Sequence, residues 1–220
     1  MLKNLFSENN PLYLITDTSI TGLTHSQIVK KAVSAGVKTV QVRDKQMHKR
    51  GLYDEAVNVR HITLKHKVKF IMNDYIDIAM AVRADGVHIG QDDMPVEDAR
   101  RILGRNTIIG VSTHNLLQAM EAQNRGADYI GFGPVFHTST KYAGRPKGLR
   151  SLKNVCNKIN IPVVAIGGIS WDNISEVMQT GADACAVISA IQSGDIKANI
   201  RRLMKGICPL LSNNKIFSGH

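Results

Sequence analysis

Aromatic side chains are scarce, 5% of 220 residues with a single tryptophan, and cysteine appears three times. Cys156, Cys185 and Cys208 show no CxxC spacing and leave one residue over, which argues against both a disulfide framework and a cysteine zinc site. Cys185 sits in an apolar run and is expected in the core. No long apolar stretch is present, since pieces such as Ile161 to Ile166 fall far short of the roughly 18 residues that a membrane span needs. The N-terminus, Met1-Leu2-Lys3-Asn4-Leu5-Phe6, turns polar at Ser7 without the apolar core of a secretory signal, so a cytoplasmic location is expected. Linkers and low-complexity segments are missing too. The 220 residues therefore predict one domain, with a polar tail from Ser212 to His220 that is expected to fray.

Charge is plentiful and unbalanced. The formal net charge is +10, and residues 141–158 hold six cations (Lys141, Arg145, Lys147, Arg150, Lys153, Lys158) and no acid. Residues 194–220 hold five cations against Asp195 alone, which reads as a solvated face. No helix-turn-helix, zinc finger or aromatic ladder accompanies the charge, so small anions are favoured over nucleic acid as the partner of the first cluster.

Short β-rich runs alternate with helix-period segments from end to end, the mark of a parallel sheet built from βα units. Strands are predicted over Leu12 to Thr16, Thr39 to Arg43, Phe70 to Met72, Gly86 to Ile89, Thr107 to Ser112, Tyr129 to Gly133, Pro162 to Ile166 and Ala184 to Ile188. Between them, Ile28, Val29, Ala32 and Val33 form an inward stripe that stops at Gly36. Val96, Ala99 and Leu103 follow Pro95, and Ile196, Ile200 and Leu203 mark the last helix. A weak repeat, Gly126-Ala127-Asp128, Gly181-Ala182-Asp183 and Arg83-Ala84-Asp85-Gly86, sits between helix and strand, where a left-handed residue ends a helix. Eight such units predict an α/β fold, a single-domain (β/α)8 TIM barrel, with an open flavodoxin-like sheet as the alternative.

In such a barrel the site lies at the carboxyl ends of the strands. Alternation after the second strand sends Gln41, Arg43 and Lys45 to one face, and cations facing into a barrel are costly unless they meet anions. Asn73-Asp74 and Gly90-Gln91-Asp92-Asp93 end the third and fourth strands. Asp74 and Asp93 would make a hard oxygen site suited to Mg²⁺, or else cap the helices that follow. Ser112 ends the fifth strand and reads as a hydrogen-bond donor, since no nucleophile elbow surrounds it. His114 is expected to cap the next helix, and His88 to be a structural histidine. Thr138, Ser139, Thr140 and Lys141 combine hydroxyls with a compact cation, as a phosphate site does. Gly167-Gly168-Ile169 and Ile188-Ser189 follow the seventh and eighth strands, where barrels bind phosphate, although the glycines could equally serve only a turn.

The ordered set resembles thiamine phosphate synthase across residues 11 to about 205. It comprises Leu12-Tyr13-Leu14-Ile15-Thr16-Asp17, Gln41-x-Arg43-x-Lys45, Asn73-Asp74, Gly86 to Asp93, Gly110-Val111-Ser112, Thr138-Ser139-Thr140-Lys141, Gly167-Gly168-Ile169 and Ile188-Ser189. Asp92 departs from the glutamate that many members carry. The resemblance implies the joining of a hydroxymethylpyrimidine diphosphate to a thiazole phosphate, with release of pyrophosphate through a pyrimidine-methylene cation. Gln41, Arg43, Lys45, Asn73, Ser112 and Lys141 would hold the diphosphate substrate, with Arg43, Ser112 and Lys141 acting on the reacting groups. Thr138, Ser139, Thr140, Gly168, Ile188 and Ser189 would hold the thiazole phosphate, and Asp74 and Asp93 the Mg²⁺. A thiazole tautomerase on the same scaffold is the alternative and would need neither metal nor pyrophosphate site. Oligomeric state stays open, a homo-oligomer included.

Overall fold

A computed structural model describes Phe6, residues 11–138 and residues 144–213, with side chains through Ile207. Eight parallel strands close into a barrel in sequence order: β1 (Leu12–Ile15), β2 (Thr39–Val42), β3 (Lys69–Asn73), β4 (Gly86–Ile89), β5 (Ile108–Thr113), β6 (Tyr129–Phe132), β7 (Val163–Ile166) and β8 (Ala184–Val187). The helices are α1 (Thr18–Thr21) and α2 (His25–Ser34) after β1, α3 (Lys49–His66) after β2, α4 (Ile76–Ala81) after β3 and α5 (Val96–Leu103) after β4. Then come α6 (Leu116–Asn124), α7 (Gly148–Cys156), α8 (Ile174–Met178), α9 (Ser189–Gln192) and α10 (Ile196–Asn213). The open-sheet alternative is thereby set aside, because β1 pairs with both β2 and β8. The tail expected from Ser212 is helical through Asn213, and residues 214–220 lie outside the described ones.

Alternation divides each strand between two cores. Outward residues such as Leu14, Val40, Phe70, Ile109, Phe132 and Cys185 pack against helix stripes that include Ile28, Val29, Ala32, Val96, Ala99, Ile196, Ile200 and Leu203. Inward residues Tyr13, Ile71, Ile108, Tyr129, Val164 and Ala184 fill the lumen, with Phe6 among them. The register keeps inward residues level: Ile15 pairs with Gln41, Asn73 with His88, His88 with Gly110, and Ser112 with Gly131. Gly110 makes room for the Tyr129 ring, since a Cβ there would lie 2.0 Å from its Cζ. Among the described residues, no helix is long and apolar enough to cross a membrane.

Candidate active site

Inward alternation at the carboxyl ends brings the polar strand ends to one place. Gln41, Arg43, Asn73, Ser112, Thr138, Gly168, Ile188 and Ser189 all line a single cavity. The space in it that a water-sized molecule can occupy is about 90 Å³, and it opens to solvent. Ser139, Thr140 and Lys141 lie outside the described residues. Gly167 and Gly168 adopt φ of +98° and +65°. A Cβ on Gly168 would stand 2.4 Å from the His137 carbonyl oxygen, and one on Gly167 2.5 Å from Pro134 Cβ. The steric demand for glycine thus comes from the loop after β6, which packs against this turn and donates to it from Val135 N (2.9 Å) and Phe136 N (3.0 Å).

Beside Asn73 lies a charged cluster. Lys45 Nζ is 3.2 Å from Asp74 Oδ2, and the Asp93 carboxyl lies beside that of Asp74. Burial, and then the neighbouring Asp93, push the Asp74 carboxyl above its ordinary range, while Lys45 acts in the opposite direction. Two carboxylates that resist sharing a negative site are a donor set that a divalent cation satisfies. Asp93 Oδ2 also accepts from Gly90 N at 2.6 Å. The helix-capping alternative is not what forms: Tyr75 and Pro95 occupy the N-cap positions of α4 and α5, without side-chain caps. Among the described residues, no group of three or more His, Cys, Asp or Glu is placed to hold a metal, so this pair stands by itself.

The histidines carry more than the sequence suggested. His88 is structurally satisfied, as expected, with Nδ1 3.0 Å from the Tyr129 hydroxyl and Nε2 2.9 Å from Ser112 Oγ, yet it also borders the cavity. His114 does not cap α6. Asn115 does, accepting from Gln118 N, whereas His114 Nδ1 donates to the Gly133 carbonyl at 2.7 Å and the ring borders the cavity. His25, unremarked in the sequence, lies between Thr16 Oγ1 (2.7 Å) and Asp44 Oδ2 (3.2 Å). That order imitates a hydrolytic triad, but Thr16 has 0% exposure and cannot meet a substrate. Burial lowers the His25 pKa against the pull of Asp44, so the ring is neutral at pH 7. Burial works to raise the Asp44 pKa, but N–H donors from Met47 and Gln46 at 2.8 Å, with His25, hold it low. The trio therefore anchors the loop that carries Arg43 and Lys45.

Fold and site together define a (β/α)8-barrel enzyme with its cavity at the carboxyl end of the strands. The chain belongs to the thiamine monophosphate synthase family, whose family model matches residues 12–191. It is 48% identical over 189 residues to the thiamine-phosphate synthase of Clostridium novyi, covering 85% of this chain and 93% of that protein. It is 45% identical over 205 residues to that of Methanosarcina mazei, covering 92% of this chain and 85% of that protein. A solved thiamine phosphate pyrophosphorylase from Pyrococcus furiosus superposes with a TM-score of 0.85 at 38% identity, covering 93% of this chain and 98% of that one.

Proposed function

We propose that this chain is a thiamine phosphate synthase, condensing a hydroxymethylpyrimidine diphosphate with a thiazole phosphate. The observation that carries the reading is the convergence of Gln41, Arg43, Asn73, Ser112, Gly168 and Ser189 on one cavity, in a chain 48% identical to a curated synthase. In the reaction the methylene C–O bond breaks and its electron pair leaves with pyrophosphate. The thiazole nitrogen then supplies the pair for the new C–N bond. No nucleophile or general base on the protein is required.

The chain's own residues bind, orient and exclude water. Gln41 and Asn73 hold the pyrimidine diphosphate, Arg43, Lys45 and Lys141 balance the charge that grows on the leaving group, and Ser112 donates to it. Thr138, Ser139, Thr140, Gly168, Ile188 and Ser189 hold the thiazole phosphate. Asp74 and Asp93 suit Mg²⁺, which when bound would neutralise diphosphate charge. The reading is of a cytoplasmic enzyme acting on small molecules, with nucleic acid and membrane outside its chemistry.

Purified protein given both substrates and Mg²⁺ is expected to release pyrophosphate. Excess chelator, or Asp93→Ala with its circular dichroism unchanged, is expected to reduce release by about 10²-fold or more, the scale of losing charge stabilisation at a reacting group. Full activity under chelation would remove the metal from the reading. Isomerisation of the thiazole substrate without pyrophosphate release would put the tautomerase in its place.

A further inference from the structure

An unbroken line of hydrogen bonds crosses the lumen beneath the cavity. Gln41 Nε2 donates to the Tyr13 hydroxyl at 2.8 Å, and the Tyr13 and Tyr129 hydroxyls are 2.9 Å apart. Tyr129 then meets His88 Nδ1 at 3.0 Å, and His88 Nε2 meets Ser112 Oγ at 2.9 Å. The five residues come from β2, β1, β6, β4 and β5. Gln41 and Tyr13 are each 1% exposed and Tyr129 is 0%. Both ends, Gln41 and Ser112, border the cavity.

The direction of the line follows from proton counting. An amide NH₂ only donates, so the Tyr13 oxygen accepts from Gln41 and its single proton turns to Tyr129. Were Tyr129 to donate to Tyr13 instead, the Tyr13 proton would sit in an apolar interior with no acceptor, a costly arrangement. The Tyr129 proton therefore points at His88 Nδ1, which must be bare. A neutral imidazole with bare Nδ1 carries its proton on Nε2, and that proton goes to Ser112 Oγ. Burial keeps both phenols far above their usual range, so neither interrupts the sequence by ionising.

We propose that Tyr13 and Tyr129 are positioning residues: by fixing the tautomer of His88 they leave Ser112 with a free proton to donate into the cavity, and Gln41 with its carbonyl oxygen to accept. The two ends of one line thus present opposite polarity. The ligand this suits offers a hydrogen donor, such as an exocyclic amine, at the Gln41 end and an anionic or lone-pair acceptor at the Ser112 end. An aminopyrimidine with a phosphorylated arm has both. The assignment of ligand rests on the function proposed above, whereas the direction of the line does not.

The direction is read directly from ¹⁵N-labelled histidine in the ligand-free protein, using long-range ¹H–¹⁵N correlations above pH 7, with the His88 signals identified by their loss in His88→Gln. Nε2–H with bare Nδ1 is expected. Tyr129→Phe removes the donor to Nδ1, so the ring should move to a mixture of tautomers, and kcat/KM for the pyrimidine diphosphate should fall about tenfold, the scale of one hydrogen bond to a charged group. If Tyr129→Phe does not fold, Gln41→Glu tests the line through the tautomer alone: a carboxylate there accepts from Tyr13, Tyr129 then donates to Tyr13, and His88 is expected to carry its proton on Nδ1. A wild-type His88 protonated on Nδ1, an unshifted tautomer in the variant, or a shifted tautomer with unchanged kcat/KM would each overturn the proposal. The tautomer is measured without substrate, so an inactive chain with the expected tautomer would count against the proposed function and not against the line.

Discussion

Gly90 shows how a residue without a side chain can place one that matters. A Cβ at that position would lie 2.9 Å from Asp93 Oδ2, the oxygen that accepts from Gly90 N. Gly90→Ala must push the carboxylate off its own backbone anchor, yet only the end of a flexible side chain has to give. Stability should change by less than about 1 kcal/mol, while pyrophosphate release at limiting Mg²⁺ should fall by about tenfold or more, because small displacements of a positioning group are felt in the rate. Thermal unfolding and a Mg²⁺ titration of the rate check the two halves, and an unaltered Mg²⁺ dependence would detach Asp93 from the metal. At this scale the sequence was legible where a strand end delivers a side chain to the cavity: Gln41 and Arg43 border it as alternation predicts, and Ser112 and Ser189 as residues at the strand ends, whereas Lys45, expected on the same face, pairs with Asp74 instead of lining it. It was silent about Tyr13 and Tyr129, whose hydroxyls meet across 116 residues of sequence, because periodicity places a side chain inward without saying which other inward side chain it touches.

The elements repeat in pairs of strands. Asp85, Asp128 and Asp183 each precede an even strand and accept from the start of the odd strand before it: Phe70 N at 2.9 Å, Ile109 N at 2.8 Å and Val163 N at 2.8 Å. Their own N–H groups donate back to the carbonyls of the same three residues, Phe70, Ile109 and Val163. The weak repeat in the sequence is thus a clamp at the amino end of the barrel, and arginines complete two of the three through Arg60–Asp85 and Arg100–Asp128. Gly126 and Gly181 take φ of +87° and +92° two residues ahead of their aspartates, but the matching position before Asp85 is the exposed Arg83 at φ +52°. Arg83→Gly should raise stability by about 0.5 to 1 kcal/mol in urea denaturation, since glycine adopts that conformation without a Cβ clash. A loss of stability would mean that the arginine side chain contributes more than the strain removes. Strand boundaries were legible to within one or two residues because apolar runs end abruptly. The expected start at Pro162 moves to Val163, whose N–H is available to Asp183 as proline's is not. The short helices α1, α8 and α9 left no periodic signal, being four or five residues long.

The whole ring closes at the seam between β1 and β8, where Leu12 pairs with Cys185, 185 − 12 = 173 residues later. A side chain reinforces it: Gln192 in α9 donates to the Ile15 carbonyl and accepts from Asp17 N, both at 2.9 Å. Gln192→Ala strands two backbone groups on the β1 side of the seam, the Ile15 carbonyl and the Asp17 N–H, and should cost about 2 to 3 kcal/mol in urea unfolding. Because Ser189 begins the same helix, binding of the thiazole phosphate should weaken in the folded variant, as isothermal titration would measure. A cost under about 0.5 kcal/mol would show that water replaces the amide. The cavity draws Ile15 and Gln41 from one side of this seam and Ile188 and Ser189 from the other, so it exists only once the last strand has docked. A nascent chain stopped short of β8 has nowhere to hold a ligand, and a finished ring with a ligand inside is harder to reopen by the free energy of that binding. Substrate is therefore expected to slow limited proteolysis of the purified protein as occupancy of the cavity rises, so that its supply bears on how long the ring survives as well as on its rate.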